Sequence, residues 1–107
     1  MENEIMELIL DGGDARTKAI EAMNLLKDNE FDKAREVMKE CNSCIVKAHR
    51  VQTRLLQNEA GGEGEAVKLL MVHAQDHLMD AMVIRDIVIS LIDIQENNYR
   101  LIQQATR

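Results

Sequence analysis

Proline is absent from this chain, and aromatic residues make up only 2% of it. A β-sandwich or barrel, built on aromatic and β-branched cross-strand packing, is therefore not expected. Long apolar runs are missing too: none reaches the roughly 20 residues that cross a bilayer. Two cysteines, Cys41 and Cys44, are too few for a secreted disulfide scaffold. Basic charge is in short supply, with 13 Lys and Arg against 19 Asp and Glu and a formal charge of −6. That balance excludes a nucleic-acid binder, which carries a basic stripe, and suits basic partners. No basic residue precedes Arg16, so a secretory signal is not expected either. These absences describe a soluble, cytoplasmic protein of one domain, residues 1–107.

What the chain holds instead is Met, Leu, Ile, Ala, Glu and Lys, which favour helix nearly everywhere. Apolar positions at Ile5, Ile9, Ala15, Ala19, Ile20, Met23 and Leu26 follow helical spacing. Gly12 and Gly13 interrupt them at a cost of about 1 kcal/mol each relative to Ala. They mark a kink there, with Asp14 capping a restart, or a close approach of a neighbouring helix or ligand. The punctuation at 27–30 leads into a second helix, with Asn29 placed to cap its N-terminus. Its apolar face is Ala34, Val37, Met38, Cys41, Ile45, Ala48, Gln52, Leu55 and Leu56, and it ends at Gly61-Gly62. A third helix is expected from near Glu65 to past Leu101, about 55 Å long at 1.5 Å per residue. From Asn97 the tail is polar and expected to fray. Short connections make consecutive helices antiparallel, so the expected fold is all-α, an up-down-up three-helix bundle.

The third helix carries three apolar seams. Val67, Met71, Ala74, Leu78, Ala81, Arg85, Val88 and Ile92 form the first. The second is Leu70, His73, His77, Asp80, Ile84, Ile87, Leu91 and Ile94, and the third Leu69, Val72, Asp76, Met79 and Val83. A helix apolar nearly all round must be enclosed on most sides. Two partner helices cover only part of that perimeter, so an oligomer with the third helix near its axis follows. Asp76, if it faces the axis, would meet its own symmetry mates there. At about 5 Å and an effective dielectric near 20, each carboxylate pair repels by about 3 kcal/mol. Protons or a bound cation must relieve that, and a hard divalent ion with oxygen ligands fits best.

His73-Ala74-Gln75-Asp76-His77 sits in the most apolar part of the chain. His73 and His77, one turn apart on one face, are either a functional pair or two core histidines held by neighbours, with Asp76 and Asp80 near enough to set their tautomers. The zinc-protease pattern fails, because Ala74 stands where a Glu is required. Cys41 and Cys44 have thioredoxin-like spacing without the preceding strand. With His73 and His77 they imitate a two-Cys, two-His zinc set at far too long a spacing, so Cys41 reads as a small core residue and Cys44 as incidental. The methionines at helical spacing read mostly as core, and His49 and Gln52, one turn apart, as candidate buried polar partners.

Five stretches carry a family resemblance. They are Gly13-Asp14-Ala15-Arg16, the short loop before Phe31, Ala48-His49 with Gln52-Thr53, Glu59-Ala60, and Met71 through Met79. Together they resemble the lactose/cellobiose-type enzyme IIA of the bacterial sugar phosphotransferase system (PTS) along essentially the whole chain. The resemblance implies a homotrimer of three-helix bundles. It implies that His73 takes a phosphoryl group from the phosphocarrier HPr and passes it to a cysteine of the IIB component, during uptake of a β-linked disaccharide of the cellobiose, diacetylchitobiose or lactose type. The membrane component IIC, which recognises the sugar, is then an indirect partner. Asp76 would help to hold a divalent ion, Mg2+, at the trimer axis. His77 is expected to support His73 by hydrogen bonding, and Gln75 to act across a subunit boundary. The rival reading is a helical scaffold whose histidines are buried polar glue.

Overall fold

The computed structural model describes residues 2–64 and 66–106. Three long helices account for most of them: α1 (Glu2–Leu25), α2 (Phe31–Ala60) and α3 (Leu69–Ala105), with one 3-10 turn at Leu26–Asp28 after α1. No strand occurs among the described residues, and no helix among them is long and apolar enough to cross a membrane. The chain forms a rod measuring 65 × 19 × 19 Å.

Side-chain contacts between helices follow a consistent order. Glu7 meets Arg54 and Lys18 meets Glu40 between α1 and α2. Between α2 and α3, Arg35 meets Glu96, Asn42 meets Arg85, and Gln52 meets Gln75. In each set one residue number rises as the other falls.

The core is a single apolar cluster whose members recur at helical spacing, mostly three or four apart, which keeps one stripe of each helix facing inward. On α1 these are Ile5, Leu8, Gly12, Ala15, Ala19 and Ala22; on α3, Ala74, Leu78, Ala81, Val88 and Ile92. The α2 stripe runs from Phe31 through Met38, Cys41 and Ile45 to Leu55. Small residues on all three helices leave room for close approach, and Leu8, Leu78, Val88 and Ile92 fill the space between them. No polar or charged residue among the described ones is buried. Arg85, which interrupts the first seam of α3, reaches out to Asn42 and Asp86.

Several expectations need correcting. Gly12 and Gly13 do not interrupt α1, which continues through them, so Asp14 caps no restart. Ile20 and Met23 lie outside the core, which takes Leu8 and Ala22 instead. Met6 and Met79 are exposed as well, so among the described residues only Met38, Met71 and Met82 pack in or against the core. Leu56 is exposed, one step off the α2 stripe. Helix α3 starts at Leu69, after an extended Lys68, and Glu65 lies outside the described residues. The polar tail from Asn97 is helical: α3 runs to Ala105, with Thr106 Oγ1 donating to the Ile102 carbonyl.

Asn29 does not cap α2. It adopts a left-handed conformation (φ 57°) and closes the turn after α1, with its N–H on the Leu26 carbonyl and the Glu30 N–H on Leu25. Gly62 (φ 80°) ends α2 by the same pair of bonds, Gly62 N–H to Glu59 and Glu63 N–H to Asn58. Asn and Gly are the residues that tolerate this geometry. Asn29→Gly should leave the melting temperature nearly unchanged, whereas Asn29→Val should destabilise by about 1–2 kcal/mol in urea unfolding.

At the far end of the bundle the Arg35 guanidinium grips both oxygens of Glu96 at 3.1 and 2.8 Å, beside the Phe31–Tyr99 ring pair. Arg35 holds the Glu96 carboxyl below its ordinary value. A lowered folded pKa means that the pair's contribution is complete above the usual carboxylate range and lost as pH falls through the lowered value. Glu96→Gln should therefore lower stability slightly at neutral pH, as expected of an exposed pair, and flatten the acid limb, the two proteins converging as pH falls below the usual carboxylate range, about pH 4.

Candidate functional site

His73 lies one turn into α3 and is exposed, while His77, a turn further on, is half-buried. Their Nε2 atoms stand 3.1 Å apart, with the rings edge to face at 88° and their centroids 4.6 Å apart. Only one proton fits between the two nitrogens, so each ring's tautomer is set by the other. The expected carboxylate partners are not the ones used. Among the described residues neither Asp76 nor Asp80 bonds to an imidazole; the two rings contact each other instead.

Helix α1 fixes the height of this pair. An added Cβ on Gly12 would come within 3.0 Å of the His77 carbonyl carbon and 3.1 Å of its Cβ, whereas one on Gly13 would meet nothing within 4 Å. The close-approach reading of the glycines therefore holds for Gly12, with His77 as the neighbour.

Gln75 lies on the other flank of α3, half-buried, where Gln52 of α2 donates its Nε2 to the Gln75 oxygen. Gln52 is thus the polar partner that the sequence suggested, although the identity of its mate, 23 residues away, could not be read in advance. His49 is exposed, and its carbonyl accepts from Thr53 Oγ1.

Asp76 falls between the two flanks. It is exposed, has no hydrogen bond or ion pair among the described residues, and sits in a stripe of uncovered apolar side chains. Val72, Met79, Val83, Ile87 and Ile94 continue that stripe, 44–59% exposed. Leu69, at 84%, begins it. So the first seam of α3 faces the core, while the third and much of the second face away from it.

Cys41 is fully buried and Cys44 partly so. Burial pushes both thiols up; each is pushed further by neighbours, Cys41 by Cys44, and Cys44 by Asp14 and Asp11. Such thiols stay protonated and are poor nucleophiles and poor metal ligands. Among the described residues no three His, Cys, Asp or Glu side chains gather to hold a metal, so the two-Cys, two-His set does not form. A single Asp76 carboxylate could serve a cation only together with its copies from other chains.

The family model for "PTS system, Lactose/Cellobiose specific IIA subunit" matches residues 3–96, and with them every residue of the site. The chain belongs to that family. Members of the PTS IIA family are phosphotransferase components that carry phosphate. The lactose-specific EIIA component of Staphylococcus epidermidis is 47% identical over 88 residues, covering 82% of this chain and 85% of that protein. Among solved structures, the cellobiose-specific enzyme IIA of Bacillus anthracis superposes with a TM-score of 0.88 at 36% identity, covering 92% of this chain and 91% of that one. The IIA(chitobiose)–HPr complex of the Escherichia coli N,N'-diacetylchitobiose branch gives 0.79 at 36% identity, covering 92% and 95%. This all-helical PTS IIA chain thus shares its fold with relatives that serve different sugars.

Proposed function

We propose that His73 accepts a phosphoryl group from phospho-HPr and hands it to a cysteine of the cognate IIB component during uptake of a β-linked disaccharide. The observation that carries this reading is the pair of ring nitrogens 3.1 Å apart, one ring exposed and the other half-buried. A phosphoryl acceptor needs a free lone pair on a reachable nitrogen, and phosphoryl transfer asks little more than alignment and charge stabilisation. His73 supplies the nitrogen. The bond from phosphorus to the HPr imidazole breaks as one to His73 Nε2 forms; that bond breaks in turn as phosphorus meets the IIB thiolate. The His77 Nε2–H releases the His73 lone pair as phosphorus arrives and then donates to a phosphoryl oxygen. HPr as donor is supported by its complex with the chitobiose relative.

The falling order of the inter-helix contacts supports an up-down-up course within one domain. The uncovered stripe of α3 supports assembly as a homotrimer about that stripe. Three Asp76 carboxylates then surround the axis and fit a divalent ion, Mg2+ by its preference for oxygen. When bound, such an ion would offset two of the three negative charges and so help to hold the copies together. Its removal by chelation should lower the melting temperature of the wild-type trimer and leave that of Asp76→Asn unchanged. An equal response in both proteins would contradict the assignment. IIC remains an indirect partner, and the work is done in the cytoplasm. Relatives named for lactose, cellobiose and chitobiose all match, at 36–47% identity, so family membership does not single out one disaccharide.

The test is incubation with phosphoenolpyruvate, enzyme I and HPr, followed by IIB. An acid-labile adduct that then moves to IIB supports the relay. No adduct would leave the apolar stripe as the working surface of a helical adaptor.

A further inference from the structure

We propose that Gln52 is a positioning residue, which holds the side-chain oxygen of Gln75 so that the Gln75 amide N–H groups face the phosphoryl group on His73 of a neighbouring copy. This rests on the reading of His73 as acceptor within a rotational assembly.

The two residues of α3 cannot serve one chain's site together. At two positions' separation they point about 200° apart around the helix. His73 lies on the α1 flank, through His77 beside Gly12, and Gln75 on the α2 flank, tied to Gln52. Between them runs the uncovered stripe through Val72, Asp76 and Met79. If that stripe faces a rotation axis, the His73 flank of one copy abuts the Gln75 flank of the next. A cyclic assembly repeats each residue at one level, and residues two apart on a helix differ in height by only about 3 Å. The site is therefore incomplete in a single chain and is completed by the neighbour's amide.

Orientation of that amide matters because its two ends are opposite in kind. A terminal carboxamide turns freely between two nearly equivalent settings. N–H groups would donate to phosphoryl oxygens as charge-assisted bonds, whereas the oxygen would repel them. With the Gln75 oxygen occupied by the Gln52 Nε2, the N–H groups are left outward, and among the described residues nothing else takes them. Gln52 comes from a different helix and is itself half-buried between the core residues Val51 and Leu55 of α2, so its own placement is fixed by packing.

The test uses the intact protein phosphorylated by enzyme I, HPr and phosphoenolpyruvate. Gln52→Met, which keeps bulk and removes the donor, should slow phosphoryl uptake by about tenfold, the weight of one hydrogen bond to a charged group. Its helix content and oligomeric state should not change. Gln75→Ala should slow it as much, and the double variant no more than Gln75→Ala alone, as expected of residues acting through one another. Mixed assemblies of His73→Ala chains with Gln75→Ala chains should regain uptake on the remaining His73. In the wild-type protein the Gln75 side-chain amide signals should shift on phosphorylation, and in Gln52→Met that shift should shrink. A wild-type rate in Gln52→Met, or mixed assemblies no faster than pure Gln75→Ala, would overturn the proposal. Were the wild-type protein to take no phosphoryl group on His73, the relay reading itself would fail, and this inference with it, before any variant is compared.

Discussion

His73→Ala protein is expected to fold and assemble as the wild type does and to take up no phosphoryl group from phospho-HPr. The side chain is exposed and contributes nothing to the core, so truncation removes chemistry without opening a cavity. His77→Ala should behave differently. His73 keeps its nucleophilic nitrogen but loses the ring 3.1 Å away that aligns it, and a lost hydrogen bond to a charged phosphoryl group is worth about 1.5–3 kcal/mol. Uptake and onward transfer should therefore slow by about 10–100-fold without stopping. Radiolabelled phosphate from phosphoenolpyruvate, counted in the acid-labile fraction, measures both variants. Equal rates in His77→Ala and wild type would remove the supporting role from His77.

The second large effect is expected at Val83, which is 57% exposed in the single chain and lies on the stripe two turns beyond Asp76. Val83→Asp should convert the proposed trimer to monomers while circular dichroism shows the helices intact. Three new carboxylates near the axis would repel by about 3 kcal/mol per pair at about 5 Å and an effective dielectric near 20. Each chain would also lose the apolar burial that Val83 gains on assembly, about 25 cal/mol per Å² covered. Sedimentation velocity reads the change directly. Phosphoryl uptake should fall with it, because the His73 flank and the Gln75 flank part company. A Val83→Asp protein that stays trimeric would mean that copies meet through another face.

The uneven fate of the sequence reading has physical causes. Helical period alone separated the three seams of α3, and the first of them, from Ala74 to Ile92, is the buried one. Ile20 and Met23 misled because apolar character is not burial: they sit one position off the stripe that Ala19 and Ala22 occupy. Asn29 misled because Asn favours both an N-cap and a left-handed turn, and only the bonds to Leu26 and Leu25 decide between them. The His73–His77 contact was legible, since residues four apart on a helix adjoin. The Gln52–Gln75 bond was not, because which residues of α2 and α3 stand level depends on the register of packed helices, and local spacing says nothing of that. Gly12 lies between: its cost within a helix signalled a reason, but the reason, the backbone of His77, belongs to tertiary packing.

The most direct measurement is the position of the phosphoryl group on the intact wild-type protein after charging through enzyme I and HPr, read by phosphorus–nitrogen coupling in labelled histidine. The account predicts one phosphoryl group per chain, bonded to Nε2 of His73, with the His77 ring signals shifted and those of His49 unmoved. A phosphoryl group on His77 or His49, or a charged carrier mixture that leaves every histidine bare, would contradict it.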